Sequence, residues 1–170
     1  MTKQEFVYRV MPIKDKLFRL ARRILNEIEA EDIVQDVFIK LWAKRDEIEQ
    51  YRNIEAFAMV VTKNLCLDKL KSKAYQNDKM TDWNEPVDSR SPHRIAELKD
   101  DVTMVHQVIS TLPEQQKLIV QMRDVEEMDF EEIAEILEMN VNAIRVNRSR
   151  ARKAIRDQMK KTHNYEYHGN

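Results

Sequence analysis

The scarcity of glycine is the feature that most limits how this chain can fold. A single glycine and four prolines occur among 170 residues. Sheet turns, β-bulges and phosphate-cradling loops need residues that tolerate unusual backbone angles, and this chain has very few of them. Leu, Ile, Glu, Lys, Arg and Met are frequent instead, and these residues favour helices. The sequence therefore predicts an all-α fold with short connections.

Hydrophobic periodicity divides the chain into two helical units. Apolar residues recur at steps of three and four within residues 2–26, 30–44 and 54–73, and Pro12 predicts a kink or a break in the first stretch. Residues 74–94 are polar and lack this period, which resumes near Ile95. We expect two small helical domains joined by a flexible linker. The predicted parts are a first domain at 1–75, a linker at 76–98, a second domain at 99–162 and a disordered tail at 163–170.

Cysteine use and hydropathy indicate a compartment. Cys66 is the only cysteine, so an internal disulfide is impossible and a reducing cytoplasm fits. Its place in an amphipathic stretch favours a small buried hydrophobe over a reactive thiol. Basic residues throughout positions 1–25 leave no stretch for a signal peptide, and no apolar run reaches membrane-spanning length. We expect a cytoplasmic protein that is not an integral membrane protein.

The distribution of charge is more informative than its sum. The formal net charge is -1, which by itself argues against a nucleic-acid binder. Residues 101–140, however, hold ten acids and two bases, whereas residues 141–161 hold eight bases and one acid. The local balance changes from -8 to +7 across one boundary, so the average conceals a basic patch suited to phosphate.

This boundary coincides with a helix-turn-helix pattern. Asp129 and Glu132 predict a capping box that begins the short helix FEEIAEIL. Glu138-Met139-Asn140 predicts a three-residue turn, and Asn140 is suited to cap a final helix from Val141 to about Lys160. A second helix rich in Asn and Arg after such a turn is typical of a helix that enters the DNA major groove.

The final helix has two opposed faces at 100° per residue. The predicted core face holds Val141, Ile144, Ala151 and Ile155. Arg and Asn on the other face are suited to bridge guanine and adenine edges. The candidate DNA-binding residues are Asn142, Arg145, Val146, Ser149, Arg150, Arg152 and Lys153, with Arg156 on the same arc. A solvated basic helix is the alternative, which the turn length and the preceding acidic segment disfavour.

Signatures of catalysis are missing from the sequence. No HExxH, EF-hand, P-loop, dinucleotide or serine-nucleophile pattern occurs, and the four His are scattered. The acidic cluster at residues 124–132 is best interpreted as a solvated surface rather than a metal site. We expect no catalytic residue, metal, cofactor or small-molecule substrate.

Two stretches resemble one known family. LPEQQKLIVQMRDVEEMDFEEIAEILEMNVNAIRVNRSRARKAI resembles region 4 of the extracytoplasmic-function (ECF) sigma factors of the sigma-70 family. LFRLARRILNEIEAEDIVQDVFIKLW and FAMVVTKNLCLDKLKSK resemble region 2 of the same family. The resemblance covers about residues 5–73 and 100–158, in the order found in that family.

The resemblance implies a function and its partners. Such a protein binds core RNA polymerase and directs promoter-specific initiation at −10 and −35 DNA elements, without catalysis of its own. It implies contacts with the polymerase β′ clamp helices and β subunit, with promoter DNA and with an anti-sigma factor. On this interpretation the DNA-binding residues of the final helix read the −35 element.

The region 2 resemblance assigns roles to further residues. Ile33, Val34, Val37, Phe38 and Leu41 match the core face of a helix whose other face docks on polymerase. The implied polymerase contacts are Asp32, Gln35, Asp36 and Lys40. The implied contacts to the −10 strand are Tyr51, Arg52, Asn53, Lys63 and Asn64, with Tyr51 as a stacking surface. An ordinary solvated helix surface is the alternative for the polymerase set and, within the −10 set, for Lys63 and Asn64.

Three positions depart from the family pattern. Glu138 stands where the family usually has Gly in the turn, and a left-handed backbone there would cost up to about 1 kcal/mol. Phe57-Ala58 replaces the usual Trp-Leu. Arg148 falls where Leu is general, on the inward arc, so it must pair or extend to solvent.

Two other classes of protein fit part of the sequence. A helix-turn-helix regulator that binds operators would explain the C-terminal half but not the region 2-like half. A sigma mimic that only titrates an anti-sigma factor would be expected to lose the basic face, which Asn142, Arg145, Arg150 and Arg152 retain here.

Overall fold

The computed structural model describes residues 1–51, 53–80 and 101–167. Within these ranges it contains helices and no β-strand, as the sequence predicts. Arg52, most of the predicted linker and residues 168–170 lie outside the described residues. The first half consists of α1 (Lys3–Val10), α2 (Lys14–Ile24), α3 (Glu27–Ala43), α4 (Arg45–Ile48) and α5 (Ile54–Met80).

The second half contains four α-helices in the described range. These are α6 (Asp101–Thr111), α7 (Glu114–Val120), α8 (Phe130–Leu137) and α9 (Val141–Tyr167), and a π-helical turn, Gln121–Val125, follows α7. Pro113 lies just before α7 as its N-cap residue.

Local sequence signals explain where the first helices begin. Thr2 and Glu5 form a capping box at the start of α1, and the Asn26 side chain accepts a hydrogen bond from the Glu29 amide at 3.0 Å at the start of α3. Pro12 lies in a short 3₁₀ turn, Met11–Ile13, between α1 and α2. The expected break at Pro12 is therefore confirmed.

The core of the first half is formed by α2, α3 and α5. Leu17 and Leu20 of α2 and Val37 and Leu41 of α3 are fully buried. On α5 the buried face is not the apolar side that the period within 54–73 predicts. The apolar residues of that period are only partly buried: Phe57, Val60, Val61, Leu65 and Leu70. The fully buried residues of α5 are Ala58, Met59, Thr62 and Cys66. The face is rotated because α5 packs against α8 as well as against α2 and α3.

Two helices are longer than the sequence indicated. Helix α5 ends at Met80 rather than near Lys73, so it includes residues 76–80 of the predicted linker, and residues 81–98 are not described. Helix α9 ends at Tyr167, so it includes residues 163–167 of the predicted disordered tail. Neither extension contains Gly or Pro, so no residue in it breaks the helical hydrogen bonding.

The two halves pack against each other. One cluster of buried apolar residues runs from the first half into the second and includes Leu118, Ile119, Met122, Ile133 and Ile136. Polar contacts cross the same boundary: both Glu126 carboxylate oxygens accept hydrogen bonds from Arg19, at 2.7 and 2.8 Å. The relative placement of the two units, which sequence periodicity does not define, is thus a property of the tertiary structure.

Candidate nucleic-acid interface

Helices α8 and α9 form the predicted helix-turn-helix. The Asp129 amide donates to the Glu132 carboxylate at 3.1 Å, which confirms the capping box at the start of α8. Helix α8 ends where Glu138 adopts the left-handed region, with φ 55° and ψ 43°. The Asn140 side chain then accepts a hydrogen bond from the Ala143 amide at 2.7 Å, which confirms the expected cap of α9. Backbone hydrogen bonds at the end of α8 and the Asn140 cap of α9 therefore close the three-residue turn at both ends.

The turn leaves one face of α9 open to solvent. Ile144 and Ala151 are fully buried, whereas Val141 and Ile155 are partly buried, so the expected core side faces inward. All seven candidate DNA-binding residues of α9 are exposed: Asn142, Arg145, Val146, Ser149, Arg150, Arg152 and Lys153. The helix therefore presents amide, hydroxyl and guanidinium groups on a single surface.

An aromatic ring organises the arginines beside this surface. The guanidinium carbons of Arg123, Arg145 and Arg148 lie 4.7, 5.2 and 5.8 Å from the centroid of the Phe130 ring. A cation over an aromatic face is attracted by the ring quadrupole. We call these four side chains the Phe130 cluster. Sequence reasoning missed Phe130, because an apolar residue that opens an amphipathic helix indicates core.

Arg148 is held in the Phe130 cluster by an ion pair. Its guanidinium donates to both carboxylate oxygens of Asp124, with Nη2 to Oδ1 at 2.5 Å. These hydrogen bonds raise the pKa of Arg148 above its ordinary value. The expectation that Arg148 must pair or extend to solvent is confirmed. Because its donors are engaged by Asp124, Arg148 is less available to base edges than Arg145 is.

The candidate −10 residues form a second surface at the start of α5. Tyr51 is exposed, and its ring meets the Phe57 ring edge-on at 4.9 Å between centroids. The Asn53 side chain caps α5 by accepting from the Ala56 amide at 2.9 Å, and it donates to the Glu132 carboxylate of α8 at 2.8 Å. Arg52, between them, lies outside the described residues.

Lys63 and Asn64 have opposite environments, although the sequence grouped them together. Asn64 is exposed, whereas Lys63 is only 7% exposed. The Lys63 ammonium donates a hydrogen bond to the Ile136 carbonyl at 2.8 Å. That carbonyl belongs to the last turn of α8, where unpaired carbonyls and the negative end of the helix dipole attract a cation. In this arrangement α8 covers Lys63.

Comparisons with known proteins agree with both halves of the structure. The Sigma-70 region 2 model matches residues 10–75, and the Sigma-70 region 4 model matches residues 103–155. The chain is 27% identical to the ECF RNA polymerase sigma factor SigW of Bacillus subtilis over 158 residues, 86% of this chain and 84% of the relative. It is also 27% identical to the RNA polymerase sigma factor SigV of the same organism, over 94% of each chain. The chain belongs to the ECF group of the sigma-70 family.

Solved structures share the fold of this sigma factor. The sigma factor RpoE of Bartonella quintana, in complex with the anti-sigma factor NepR, aligns with a TM-score of 0.76 at 20% identity, over 92% of this chain and 98% of RpoE. CnrH, in complex with the cytosolic domain of CnrY, aligns with a TM-score of 0.70 at 19% identity, over 94% of this chain and 90% of CnrH. These likenesses confirm the two-domain all-α fold.

Family membership establishes the general role of this sigma factor. It binds core RNA polymerase and directs promoter-specific transcription initiation. The sigma-70 family consists of initiation factors rather than enzymes. In the described part of the chain, no group of three or more His, Cys, Asp or Glu side chains is arranged to hold a metal ion. Likewise, no described helix is both long and apolar enough to cross a membrane.

The polymerase candidates of this sigma factor lie together on α3. Asp32, Gln35, Asp36 and Lys40 are all exposed, and their spacing places them on one side of the helix. Ile33, Val34, Val37 and Leu41 on the other side are buried, and Phe38 packs partly buried against them. The structure thus places the predicted polymerase set on an accessible helix face.

Proposed function

We propose that this sigma factor divides promoter recognition between two surfaces. Region 2, predicted at 1–75, would bind polymerase through α3 and capture the unpaired −10 strand beside α5. Region 4, predicted at 99–162, would read the −35 element through α9. The observation that carries the proposal is the exposed polar and basic face of α9, held by a closed helix-turn-helix and bordered by the Phe130 cluster.

The first two turns of α9 are assigned to base readout. Asn142 and Arg145 are exposed there, and their side chains suit adenine and guanine edges in the major groove. Val146 is 47% exposed on the same turns, and an apolar group at this place fits a thymine methyl. Arg150, Arg152 and Lys153 lie further along the helix, where cations more often hold phosphate.

The −10 surface is assigned to Tyr51, Arg52, Asn53, Lys63 and Asn64. Support comes from the exposed Tyr51 ring, because an aromatic face at the start of α5 can stack an unpaired base. The exposed amide of Asn64 and the polar side chain of Asn53 provide hydrogen-bonding groups nearby. These groups would recognise a strand only after polymerase has opened the duplex.

Tethering lets two small surfaces act together. Once one domain is bound to polymerase, the second contact becomes intramolecular and gains effective concentration. Each surface alone therefore needs only modest affinity. The isolated chain should bind promoter DNA weakly and with steep salt dependence, because phosphate contacts release counterions.

The proposal extends to compartment, chemistry and regulation. We assign this sigma factor to the cytoplasm, where polymerase acts, and we assign it no reaction of its own. Two proteins of similar fold have structures in complex with a protein: RpoE with the anti-sigma factor NepR, and CnrH with the cytosolic domain of CnrY. A protein partner of the anti-sigma class is therefore proposed for this chain as well.

The test of the −35 assignment compares two α9 variants. Reconstituted holoenzyme would transcribe a promoter library in which the −35 positions are randomised. Arg145→Ala should relax the preference at one position by about tenfold or more, since a bidentate base contact is worth about 1–3 kcal/mol. Lys160→Ala removes one positive charge from the same helix outside the assigned set, and it should keep the wild-type preference. An unchanged −35 preference in Arg145→Ala would refute the assignment.

The polymerase assignment has an independent test. Asp36→Lys reverses a charge on the proposed face of α3 and should weaken assembly with core polymerase, measured by fluorescence anisotropy of labelled sigma. Glu31→Lys makes the same change at an exposed position of α3 outside the set. Equal affinities of the two variants would contradict the assignment.

A further inference from the structure

We propose that α8 occupies the −10 strand surface of region 2 in the unbound chain, so that helix and strand compete for one site. The inference rests on the proposed −10 surface. It adds a second, intramolecular ligand for that surface, namely the acidic helix that begins the helix-turn-helix. Three groups of contacts carry it.

The first contact covers Lys63. Among the lysines whose burial the structure describes, only Lys63 is buried, and its ammonium donates a hydrogen bond to the Ile136 carbonyl. A buried ammonium is stable only when it is paired, so the α8 carbonyl takes the place that a strand phosphate would occupy. Lys63 cannot contact the end of α8 and a DNA strand at the same time.

The second contact lies at the start of α5. Asn53 donates its amide hydrogen to Glu132 of α8 at 2.8 Å. Tyr51 and Phe57 line the same groove from one side, and Glu135 and Ile136 of α8 line it from the other. The aromatic ring proposed to stack a base therefore faces α8 across this groove.

The charge of α8 suits it to this role. Helix α8 carries Glu131, Glu132 and Glu135 and no basic residue. Its carboxylates and terminal carbonyls offer acceptors to the donors of region 2, as an unpaired strand would. Ile133 and Ile136 of the same helix are fully buried in the shared core, so apolar packing adds to the polar contacts of α8.

The third group of contacts lies away from the DNA surfaces and holds the halves together. The Glu126 side chain is 1% exposed and accepts hydrogen bonds from Nε and Nη2 of Arg19, while the Gln121 side chain donates to it at 2.9 Å. Arg23 donates to the Gln121 side chain as well. This network includes none of the proposed DNA-binding residues, so it can be weakened without altering either surface.

A lysine-protection experiment tests the closed arrangement without DNA. The full chain is treated with an amine-reactive acetylating reagent, and modification is followed by mass spectrometry. Lys63 should react at least about tenfold more slowly than Lys44, which is 56% exposed at its side chain. Arg19→Ala should raise the rate at Lys63 about tenfold, because one charge-assisted pair that holds the halves is lost.

Arg22→Ala is the matched control. Arg22 lies on the same helix and pairs with Glu27 within the first half, so its loss should leave Lys63 protected. Glu126→Gln provides a second variant that keeps the side-chain shape and should act like Arg19→Ala. Wild-type Lys63 that reacts as fast as Lys44 would overturn the inference.

Competition is then measured with a fluorescein-labelled, random-sequence single-stranded DNA oligonucleotide. Arg19→Ala should bind it more tightly than wild type. That direction is diagnostic, because loss of a cation otherwise weakens binding to DNA. Lys63→Ala in the Arg19→Ala background should reverse the gain. If Arg19→Ala exposes Lys63 to the reagent but does not bind DNA more tightly, the −10 assignment is overturned, and the competition with it. If Lys63 is already unprotected in the wild type, only the competition is overturned.

Discussion

Arg148 and Asp124 form a two-oxygen ion pair between α9 and the π-helical turn before α8. The Arg148 Nε lies 3.1 Å from each carboxylate oxygen, and Nη2 lies 2.5 Å from Oδ1. Both side chains are about one quarter exposed. A single carboxylate thereby accommodates an arginine on the inward side of α9.

Removal of one partner should destabilise region 4. Asp124→Ala leaves the Arg148 guanidinium partly buried without its acceptor, and we expect a loss of about 1–2 kcal/mol of unfolding free energy. The double variant D124A/R148L should recover most of that loss, because both polar groups are then gone. Urea denaturation followed by circular dichroism measures both changes. A double variant less stable than Asp124→Ala would contradict this account.

The Phe130 ring should support −35 binding without touching DNA. Phe130→Leu keeps an apolar residue at the start of α8 but removes the ring under three guanidinium groups. Cation–π support is worth about 0.5–1 kcal/mol per exposed pair, so affinity for −35 duplex DNA should fall several-fold. Electrophoretic mobility shift with holoenzyme measures the affinity. Circular dichroism checks that helicity is unchanged, and wild-type affinity in a folded variant would refute the role.

The left-handed turn residue offers a stabilising substitution. Glu138 has φ 55°, a conformation that glycine adopts without a Cβ penalty. Glu138→Gly should raise the unfolding free energy by about 0.5–1 kcal/mol. The Glu138→Ala variant is the control, since it removes the same charge but keeps the Cβ. Equal stability of the Gly and Ala variants would show that no backbone strain is stored there.

The buried thiol should give the protein an alkaline limit. Cys66 is fully buried, and burial raises its pKa from 9.0 to about 12. The folded state therefore retains a proton that the unfolded state releases. The protonated thiol therefore contributes its full share to the unfolding free energy below pH 9. That contribution is lost as the pH rises towards 12.

Two measurements follow for Cys66. A small alkylating reagent should modify it at pH 8 only after a denaturant is added. Above pH 9 the unfolding free energy should fall less steeply with pH in Cys66→Ala than in the wild type. Below pH 9 the variant is less stable than the wild type because the substitution leaves a cavity. Rapid alkylation of the folded chain would contradict the burial argument.

Features set by neighbouring residues could be predicted from the sequence. The Asp129–Glu132 capping box and the Asn140 cap each depend on groups three residues apart, so they are visible in the sequence. The helical period likewise predicted the buried sides of α3 and α9. The helix-turn-helix and its exposed face follow from these local rules.

The buried face of α5 could not be predicted in the same way. A periodic pattern identifies one apolar side, but α5 has neighbours on two sides, and Thr62 is buried between them with its hydroxyl donating to the Ala58 carbonyl at 2.8 Å. The role of Phe130 could not be predicted for a similar reason. An apolar residue at the start of a helix can pack in the core or beneath arginine side chains, and the sequence does not distinguish the two.

Sequence alone determined that this protein is all-α, that it carries two sigma-like units, and which residues form the exposed basic face of α9. These properties depend on local periodicity, capping and composition. Tertiary structure alone decided that Lys63 is bound to Ile136, 73 positions away, and Arg19 to Glu126, 107 positions away. Such pairs depend on how two helical units dock, and docking is governed by complementary surfaces that no single stretch of sequence contains.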